Sequence, residues 1–409
     1  MNKLPLIILL IFISITAARA DKCADYLLLD GTEPIAAYGI DTTGHWWALT
    51  APFTGSYRLT IDGEESDVYT KITNLHFSPD GSGWAYFGLY SGGWNLVTRD
   101  SIIPLRGGTP GEIAYSPDGY IVYSYFEGEL ETIINGEEKF EVYRRAGPIY
   151  LSHRGRKIAF AGRRGNGYVL NINGRETPVF DKIVPFGYWQ DGSLVYGAGS
   201  VGNMEIYRRG RVISEPYANI HEAAINYMGT VAGGIVEFSS GEYGGIVISD
   251  EFYEPLLSRL YDKAYNMALH PTLPMMAFNA IEDNTSLVVM NTAEYSGGEV
   301  TGRPHFTYDG RDLYYVGCDA IDCFVGVNGR NYEIYKQLNV RANYAMKPKS
   351  NTIAYSGGTN MIMQDLISRE MYAGMMVDET QPPIYNWREG VYEALGRIGN
   401  RLYLLTCRA

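Results

Sequence analysis

The sequence lacks the short motifs that mark common catalytic and cofactor-binding sites. The nucleophile elbow Gly-x-Ser-x-Gly does not occur, and neither does the zinc-binding pattern His-Glu-x-x-His nor the phosphate loop Gly-x-x-x-x-Gly-Lys-Ser/Thr. The 6 histidines are scattered over 409 residues. We therefore predict no cofactor and no metal ion, and we expect a binding protein rather than an enzyme.

Large basic clusters are lacking as well. The net charge is -12 at pH 7, and basic residues gather mainly in short pairs such as Arg144-Arg145 and Arg163-Arg164. Because nucleic acids and anionic membranes attract strongly basic surfaces, neither is an expected partner of this chain.

Long apolar segments are confined to the N-terminus. An apolar run from Leu4 to Ile15 follows Lys3, and Ala18-Arg19-Ala20 comes directly before Asp21. This order is typical of a secretory signal peptide, so residues 1–20 are expected to be removed and the mature chain to be periplasmic or secreted. A retained N-terminal anchor is the alternative. No later segment approaches the ~20 apolar residues that a membrane span requires.

A repeated turn is the most abundant feature of the sequence. Ser78-Pro79-Asp80-Gly81 recurs as Ser116-Pro117-Asp118-Gly119. Weaker copies lie at His270-Pro271-Thr272, Lys347 to Ser350 and Arg388-Glu389-Gly390. The turn glycine returns about every 37 residues, at Gly44, Gly81, Gly119, Gly155, Gly192, Gly229 and, two intervals later, Gly310. The chain therefore consists of about ten repeats.

Each repeat contains four short predicted strands. In the second repeat they are Leu75 to Ser78, Trp84 to Tyr90, Trp94 to Thr98 and Ser101 to Leu105. A second series of turns marks the junction of the third and fourth strands, at Asp62-Gly63, Asn135-Gly136, Asn173-Gly174 and Asn328-Gly329. Both series share one period, which fixes the phase of the repeat.

The repeat predicts an all-β fold. A four-stranded sheet of this size cannot bury both faces alone, so successive repeats must stack, and antiparallel meanders that stack radially form a β-propeller. We predict that residues 21–409 form a β-propeller of about ten four-stranded repeats of about 38 residues each, in one ring or two. An array of β-sandwiches is the alternative.

The four cysteines are expected to form two disulfides, as an exported chain permits. Cys318 ends a second strand and Cys323 begins a third, so they face each other across a hairpin. Cys23 and Cys407 lie near the two ends, where an N-terminal strand from Tyr26 to Asp30 is expected to pair with the last strand, Leu402 to Thr406. A metal site formed by Cys318, Asp319, Asp322 and Cys323 is the alternative.

The repeat resembles that of the TolB-type and WD-repeat-like propellers. The resemblance rests on Phe77-Ser78-Pro79-Asp80-Gly81 followed by Ala85-Tyr86-Phe87, and on Tyr115-Ser116-Pro117-Asp118-Gly119 followed by Ile121-Val122-Tyr123. It covers most of the mature chain and implies the propeller fold. The N-terminal α/β domain of TolB proteins has no counterpart before the first repeat.

The expected binding site is a ring of polar residues at one mouth of the channel. Aligning the repeats at the start of the strand that precedes each turn superimposes six residues: Asn74, Glu112, Glu222, Asn266, Arg303 and Asn343. Ordinary loop polarity is the alternative interpretation of this ring.

Two functions remain open from the sequence. The first is a non-catalytic, exported propeller that binds a protein or peptide of the cell envelope. The second is a carbohydrate-binding or glycoside-hydrolase-like propeller that uses acidic residues at the same mouth. The 34 tyrosines are expected mainly to pack between repeats, and a surface that stacks against a glycan is the alternative.

Overall fold

The computed structural model describes residues 22–251, 254–319, 322–334 and 344–408. The expected signal segment, residues 1–20, and Asn343 lie outside these residues. Within the described ranges the regular elements are β-strands, and we number them β1 to β42. The same ranges contain no helix with the length and hydropathy that crossing a membrane requires.

The strands form ten antiparallel sheets. Eight sheets have four strands, and two have a fifth because their first strand is divided in two. With one exception, each sheet is a meander in chain order, which is the blade of a β-propeller. The predicted fold, an all-β propeller of about ten four-stranded repeats, is confirmed.

The chain divides into two compact units. Of the described residues, one unit comprises those up to Thr54, residues 58–67 and those from Tyr332 onward, and the other comprises residues 55–57 and those between 68 and 331. Three blades belong mainly to the first unit: β2 (Ile35–Ile40), β3 (Trp46–Phe53), β4 (Ser56–Ile61) and β5 (Glu64–Tyr69); β35 (Tyr344–Met346), β36 (Thr352–Ser356), β37 (Met361–Asp365) and β38 (Met371–Ala373); and β39 (Glu379–Thr380), β40 (Ile384–Asn386), β41 (Val391–Ile398) and β42 (Arg401–Cys407) with β1 (Cys23–Asp30).

Seven blades belong mainly to the second unit, and we name each by its first strand. They are β6 (Lys71–Phe77), β7 (Trp84–Tyr90), β8 (Gly93–Thr98) and β9 (Ile102–Pro104); β10 (Thr109–Tyr115), β11 (Ile121–Glu127), β12 (Leu130–Asn135) and β13 (Glu138–Tyr143); β14 (Arg145–Leu151), β15 (Ile158–Arg164), β16 (Gly167–Ile172) and β17 (Arg175–Glu176); β18 (Lys182–Tyr188), β19 (Leu194–Ser200), β20 (Asn203–Arg208) and β21 (Arg211–Val212); β22 (Asn219–Ile225), β23 (Val231–Glu237), β24 (Tyr243–Ser249) and β25 (Leu256–Leu257); β26 (Lys263–Leu269), β27 (Met276–Glu282), β28 (Thr285–Met290) and β29 (Ala293–Ser296); and β30 (Val300–Thr301), β31 (His305–Phe306), β32 (Leu313–Cys318), β33 (Cys323–Val327) and β34 (Arg330–Glu333).

Both series of turns lie where the sequence predicts them. The Ser-Pro-Asp-Gly turns connect the first and second strands of their blades, and Gly81 and Gly119 have φ of 67° and 77° there. Asn173-Gly174 connects the third strand to the fourth with φ of 51° and 80°. Glycine has no side chain to clash in this left-handed region, and asparagine tolerates it better than other residues, so these two residue types recur at these positions and reveal the period.

A β-bulge interrupts the first strand of many blades. The register shifts between Thr73 and His76 in β6, and between Tyr265 and Ala268 in β26. Within these bulges Asn74 and Asn266 have φ of 55° and 57°. A bulge turns backbone groups out of the sheet ladder, so these groups need partners elsewhere.

Apolar side chains pack between successive blades of the second unit. Trp189 and Val195 of the β18 blade lie in one buried cluster with Ile220 and Ile246 of the β22 blade. Each fully buried side chain of this size contributes about 1.5–3 kcal/mol. This packing between sheets replaces the second core layer that a single blade lacks.

Disulfides are present, as predicted. One joins Cys23 in β1 to Cys407 in β42, and these strands pair with the two cysteines opposite each other. β1 is therefore the edge strand of the last sheet. The other disulfide joins Cys318 to Cys323, which face each other across the β32–β33 hairpin. The alternative metal site is wrong, because both of its sulfurs are bonded to each other and are not thiolates.

Candidate functional site

Four of the six predicted site residues occupy equivalent backbone positions. Asn74, Glu112, Glu222 and Asn266 are each the fourth residue of a seven-residue first strand, at or beside its bulge. Arg303 lies in the gap between β30 and β31, where the first strand of that blade is divided. These positions are in the middle of the strands, whereas the sequence predicted the start of each strand.

Asn74 reaches the neighbouring blade. Its side-chain amide donates a hydrogen bond of 2.7 Å to the carbonyl oxygen of Gly111, which lies in the bulge of β10. The next residue along that strand, Glu112, accepts a hydrogen bond of 3.2 Å from the backbone amide of Ile149 in β14. Each side chain thus satisfies a backbone group that the bulge of the next blade leaves exposed.

An ion-pair network surrounds Glu112. Arg145 Nη1 lies 2.6 Å from Glu112 Oε2, and Arg145 Nε donates a bond of 2.9 Å to Glu131 Oε2. Glu131 is 1% exposed. Burial works against the charge of Arg145, but the hydrogen bond to Glu131 and the charge of Glu112 prevail and raise the pKa of the guanidinium. One cation therefore holds two carboxylates between the β10 and β14 blades.

Glu222, Asn266 and Arg303 are brought together. Glu222 Oε1 accepts a 2.7 Å bond from the amide of Asn266, and Oε2 accepts a 3.0 Å bond from that of Met267. Arg303 Nε donates to the Met267 carbonyl at 3.2 Å, and its Nη2 lies 3.7 Å from Glu222 Oε2. The three residues link three successive blades, β22, β26 and β30.

A cavity of about 970 Å³ opens beside this group in the second unit. First strands and the turns that follow them form most of its walls, and Ala161 of β15 and Tyr168 of β16 complete them. Apolar wall residues come from four successive blades and include Pro148, Ile183, Val184, Ala224, Ile225 and Leu269. Glu222 and Arg303 also line it. Its volume is at the upper end of the ~300–1,000 Å³ range of ligand pockets in proteins.

Three tyrosines add aromatic surface to the cavity: Tyr150, Tyr168 and Tyr227. Burial, and secondarily the charge of Glu112, raises the pKa of Tyr150, so this hydroxyl is neutral at physiological pH. Tyrosine presents an apolar ring and a polar tip, which is why it is frequent at binding surfaces.

The side chain of Tyr227 contacts two other blades at one end of the cavity. Its hydroxyl lies 3.4 Å from the carbonyl oxygen of Pro117, and its ring contacts that of His153 edge-on with centroids 6.0 Å apart. Both partners belong to the turns after β10 and β14, whereas Tyr227 follows β22. Tyr227 therefore narrows the end of the cavity where these turns meet.

Lys182 lies at the opposite end of the first strands. It is the first residue of β18 and lines the cavity. Its ammonium donates to Asn219 Oδ1 at 2.5 Å and to the carbonyl oxygen of Ile220 at 3.2 Å. Burial lowers the pKa of Lys182, and the nearby charge of Glu237 opposes this effect only partly.

The sequence prediction missed most of the cavity. It identified Glu222 and Arg303 but not Lys182, Tyr150 or Tyr227. One signal for Tyr227 was present, because it occupies the turn position that proline has in Ser78-Pro79-Asp80-Gly81. A large aromatic residue at that position extends a side chain away from its own blade.

These features define a β-propeller with an apolar cavity between first strands of its larger unit. No family model matches the chain, and no curated protein matches it either. Solved structures do match. A eukaryotic initiation factor is 11% identical with a TM-score of 0.48, covering 74% of this chain and 88% of that chain.

Two further matches are an oligogalacturonate lyase in complex with manganese and TolB from Acinetobacter baumannii. The lyase is 11% identical with a TM-score of 0.42, covering 95% of this chain and 98% of that chain. TolB is 12% identical with a TM-score of 0.30, covering 78% and 80%. These similarities concern the fold alone. The propeller fold that the resemblance to TolB-type and WD-repeat-like repeats implies is confirmed by the ten antiparallel sheets.

Proposed function

We propose that this chain is an exported, non-catalytic β-propeller that binds a protein or peptide partner of the cell envelope, and that the partner binds in the cavity of the second unit. The observation that carries the proposal is the lining of that cavity. Apolar residues of four blades and three tyrosines form its walls. Such walls suit apolar and aromatic side chains of a peptide.

The contacts of the acidic residues support a binding role. Both oxygens of Glu222 accept bonds from backbone amides, and both oxygens of Glu112 are engaged by Ile149 and Arg145. A glycosidase needs one carboxylate to transfer a proton and another to activate water or attack the sugar. Carboxylates that hold neighbouring blades together do not favour that chemistry.

Two observations support export. The chain carries the disulfides Cys23–Cys407 and Cys318–Cys323. Disulfides persist in oxidising compartments, which include the periplasm and the exterior. The segment of residues 1–20 has the order of a secretory signal.

Peptide selection on the purified, folded chain tests the proposal. Random peptides displayed on phage should yield binders, and titration should show saturable binding of the selected peptides. Tyr150→Ala and Tyr227→Ala should weaken that binding about tenfold or more, because both rings line the cavity. Tyr143→Ala removes a tyrosine that is exposed on the outer strand β13, so this control should bind normally.

A panel of polysaccharides run beside the peptides separates the two functions. Saturable glycan binding without any peptide binder would overturn the proposal. Turnover of a glycan that Glu112→Gln and Glu222→Gln abolish would establish the hydrolase alternative instead. Peptide binding that both tyrosine variants leave unchanged would refute the cavity as the binding site.

A further inference from the structure

Lys182 differs from the other charged residues of the cavity wall. Arg303 lies against the Glu222 carboxylate, and His221 Nε2 lies 2.7 Å from Glu237 Oε2. The two partners of Lys182, Asn219 Oδ1 and the Ile220 carbonyl, are neutral oxygens. An ammonium has three N–H donors, so one donor remains beyond these two bonds.

The position of Lys182 suits the binding of a peptide's terminal carboxylate. It begins β18, and Asn219, to which it donates, begins β22, whereas Tyr227 follows the far end of β22. The cation and the narrowing tyrosine are therefore at opposite ends of the cavity. A peptide whose terminal carboxylate lies at Lys182 would extend its preceding side chains along the apolar wall between these two ends.

Resting on the proposed function, we propose that the cavity binds the C-terminal end of an apolar peptide, with Lys182 binding the terminal carboxylate and the apolar walls receiving the last side chains. A carboxylate forms a charge-assisted hydrogen bond that is about twice as strong as a neutral one. The nearby charge of Glu237 offsets the burial of the ammonium only partly, because burial still lowers the pKa of Lys182. A bound carboxylate would supply further opposite charge.

The carboxylate and the apolar body could also belong to a molecule without peptide bonds, such as a medium-chain fatty acid. Octanoate therefore serves as a competitor. The wall includes Tyr150, Tyr168 and Tyr227, whose hydroxyls can bond to the backbone groups of a peptide, as well as apolar surface. We expect peptide acids to bind about tenfold more tightly than octanoate, because only a peptide bonds to these groups.

Two libraries of N-acetylated apolar pentapeptides test the inference, one with free C-terminal acids and one with C-terminal amides. Both are titrated against the full chain at pH 7. Acids should bind about tenfold more tightly than the matching amides. Lys182→Met should abolish this difference, and Lys182→Arg should retain it because the charge remains. A thermal melt of each variant verifies that it is folded.

Lys157→Met is the matched control. Lys157 also donates to a backbone carbonyl of a neighbouring blade, that of Gly192 at 2.7 Å, but it is not a wall residue. This variant should keep the preference for acids.

The outcomes separate the inference from the proposed function. If acids and amides bind equally well, the inference is wrong and the peptide-binding function stands. If neither library nor any selected peptide binds, both fail. Octanoate that competes as well as the best peptide acid would overturn the assignment to a peptide terminus.

Discussion

Glu222 holds Asn266 of the next blade through a hydrogen bond of 2.7 Å between its Oε1 and the Asn266 backbone amide. The two residues are 44 positions apart and stand at the same place in successive first strands. Asn266 has φ of 57°, which turns its amide out of the ladder of its own sheet. The carboxylate of one blade thus completes the bulge of the next.

Replacing Glu222 by glutamine should destabilise the protein. Glutamine keeps one acceptor oxygen and loses the charge, so the amides of Asn266 and Met267 can no longer each bond to a carboxylate oxygen. We expect the free energy of unfolding in urea to fall by about 1–3 kcal/mol. Glu251→Gln, an exposed control in the same blade, should change it by less than about 0.5 kcal/mol. Equal effects of both variants would contradict this role.

Removing the cation between Glu112 and Glu131 should have a larger effect. Arg145→Met leaves the carboxylate of Glu131, which is 1% exposed, buried without its positive partner. Breaking a buried ion pair in this way costs about 3–5 kcal/mol. The neighbouring Arg144→Met, whose side chain is 66% exposed, is the control and should be nearly neutral. If Glu131→Met in the Arg145→Met background restores no stability, the unpaired charge is not the cause.

Lowering the pH should destabilise the folded protein, in part because Asp191 becomes protonated. Burial alone would raise the pKa of this carboxyl, but hydrogen bonds from Ser193 and ion pairs with Arg209 and Arg208 lower it. A group whose folded pKa is depressed stabilises the fold above its unfolded pKa of ~3.9 and loses that contribution as pH falls toward the folded value.

The test compares Asp191→Asn with the unaltered chain between pH 7 and pH 2. The variant should be less stable at pH 7 by about 1 kcal/mol and should show a smaller loss below pH 4. Asp181→Asn, an exposed aspartate for which no such contacts exist among its described neighbours, should keep the full loss. If Asp191→Asn loses as much stability below pH 4 as the unaltered chain does, the ion pairs of Asp191 contribute nothing to stability.

The two disulfides should differ in their contribution to stability. Their cysteines are separated by 384 and 5 positions in the sequence. Constraint of the unfolded chain grows with loop length, so loss of Cys23–Cys407 should cost up to about 5 kcal/mol and loss of Cys318–Cys323 about 2 kcal/mol. Urea unfolding of the two double alanine variants under non-reducing conditions measures both values. The reverse order would contradict the assignment of Cys23–Cys407 as the stronger constraint.

The repeat could be predicted because backbone sterics leave a trace in the sequence. Gly81 and Gly119 adopt left-handed conformations that other residues avoid, so the same residue type returns at each turn. One turn series connects the first and second strands and the other connects the third and fourth, so the two series together indicate four strands per repeat. The fourth strands are the least predictable part: β17, β21 and β25 have two residues each, and so short a segment has almost no periodicity.

The sequence revealed that four of the predicted site residues share one strand position, but not which contacts they make. Alignment of the repeats placed Asn74, Glu112, Glu222 and Asn266 at one level because they share a strand position. Their contacts join different blades, and the repeat phase contains no information about distances between blades. Tyr227 shows the same limit, because its contact with Pro117 spans 110 positions. Binding by these residues stays a prediction.

The pairing of β1 with β42 has a consequence for biosynthesis. Leu27 faces Tyr403, so β1 must wait for a strand that is translated much later. At about 5–20 residues per second, the 384 positions between Cys23 and Cys407 correspond to tens of seconds during which β1 is a lone, partly apolar ribbon. High contact order of this kind slows folding and exposes the nascent chain to aggregation. A holdase that shields β1 until β42 has been translated would therefore raise the yield of protein with the Cys23–Cys407 disulfide.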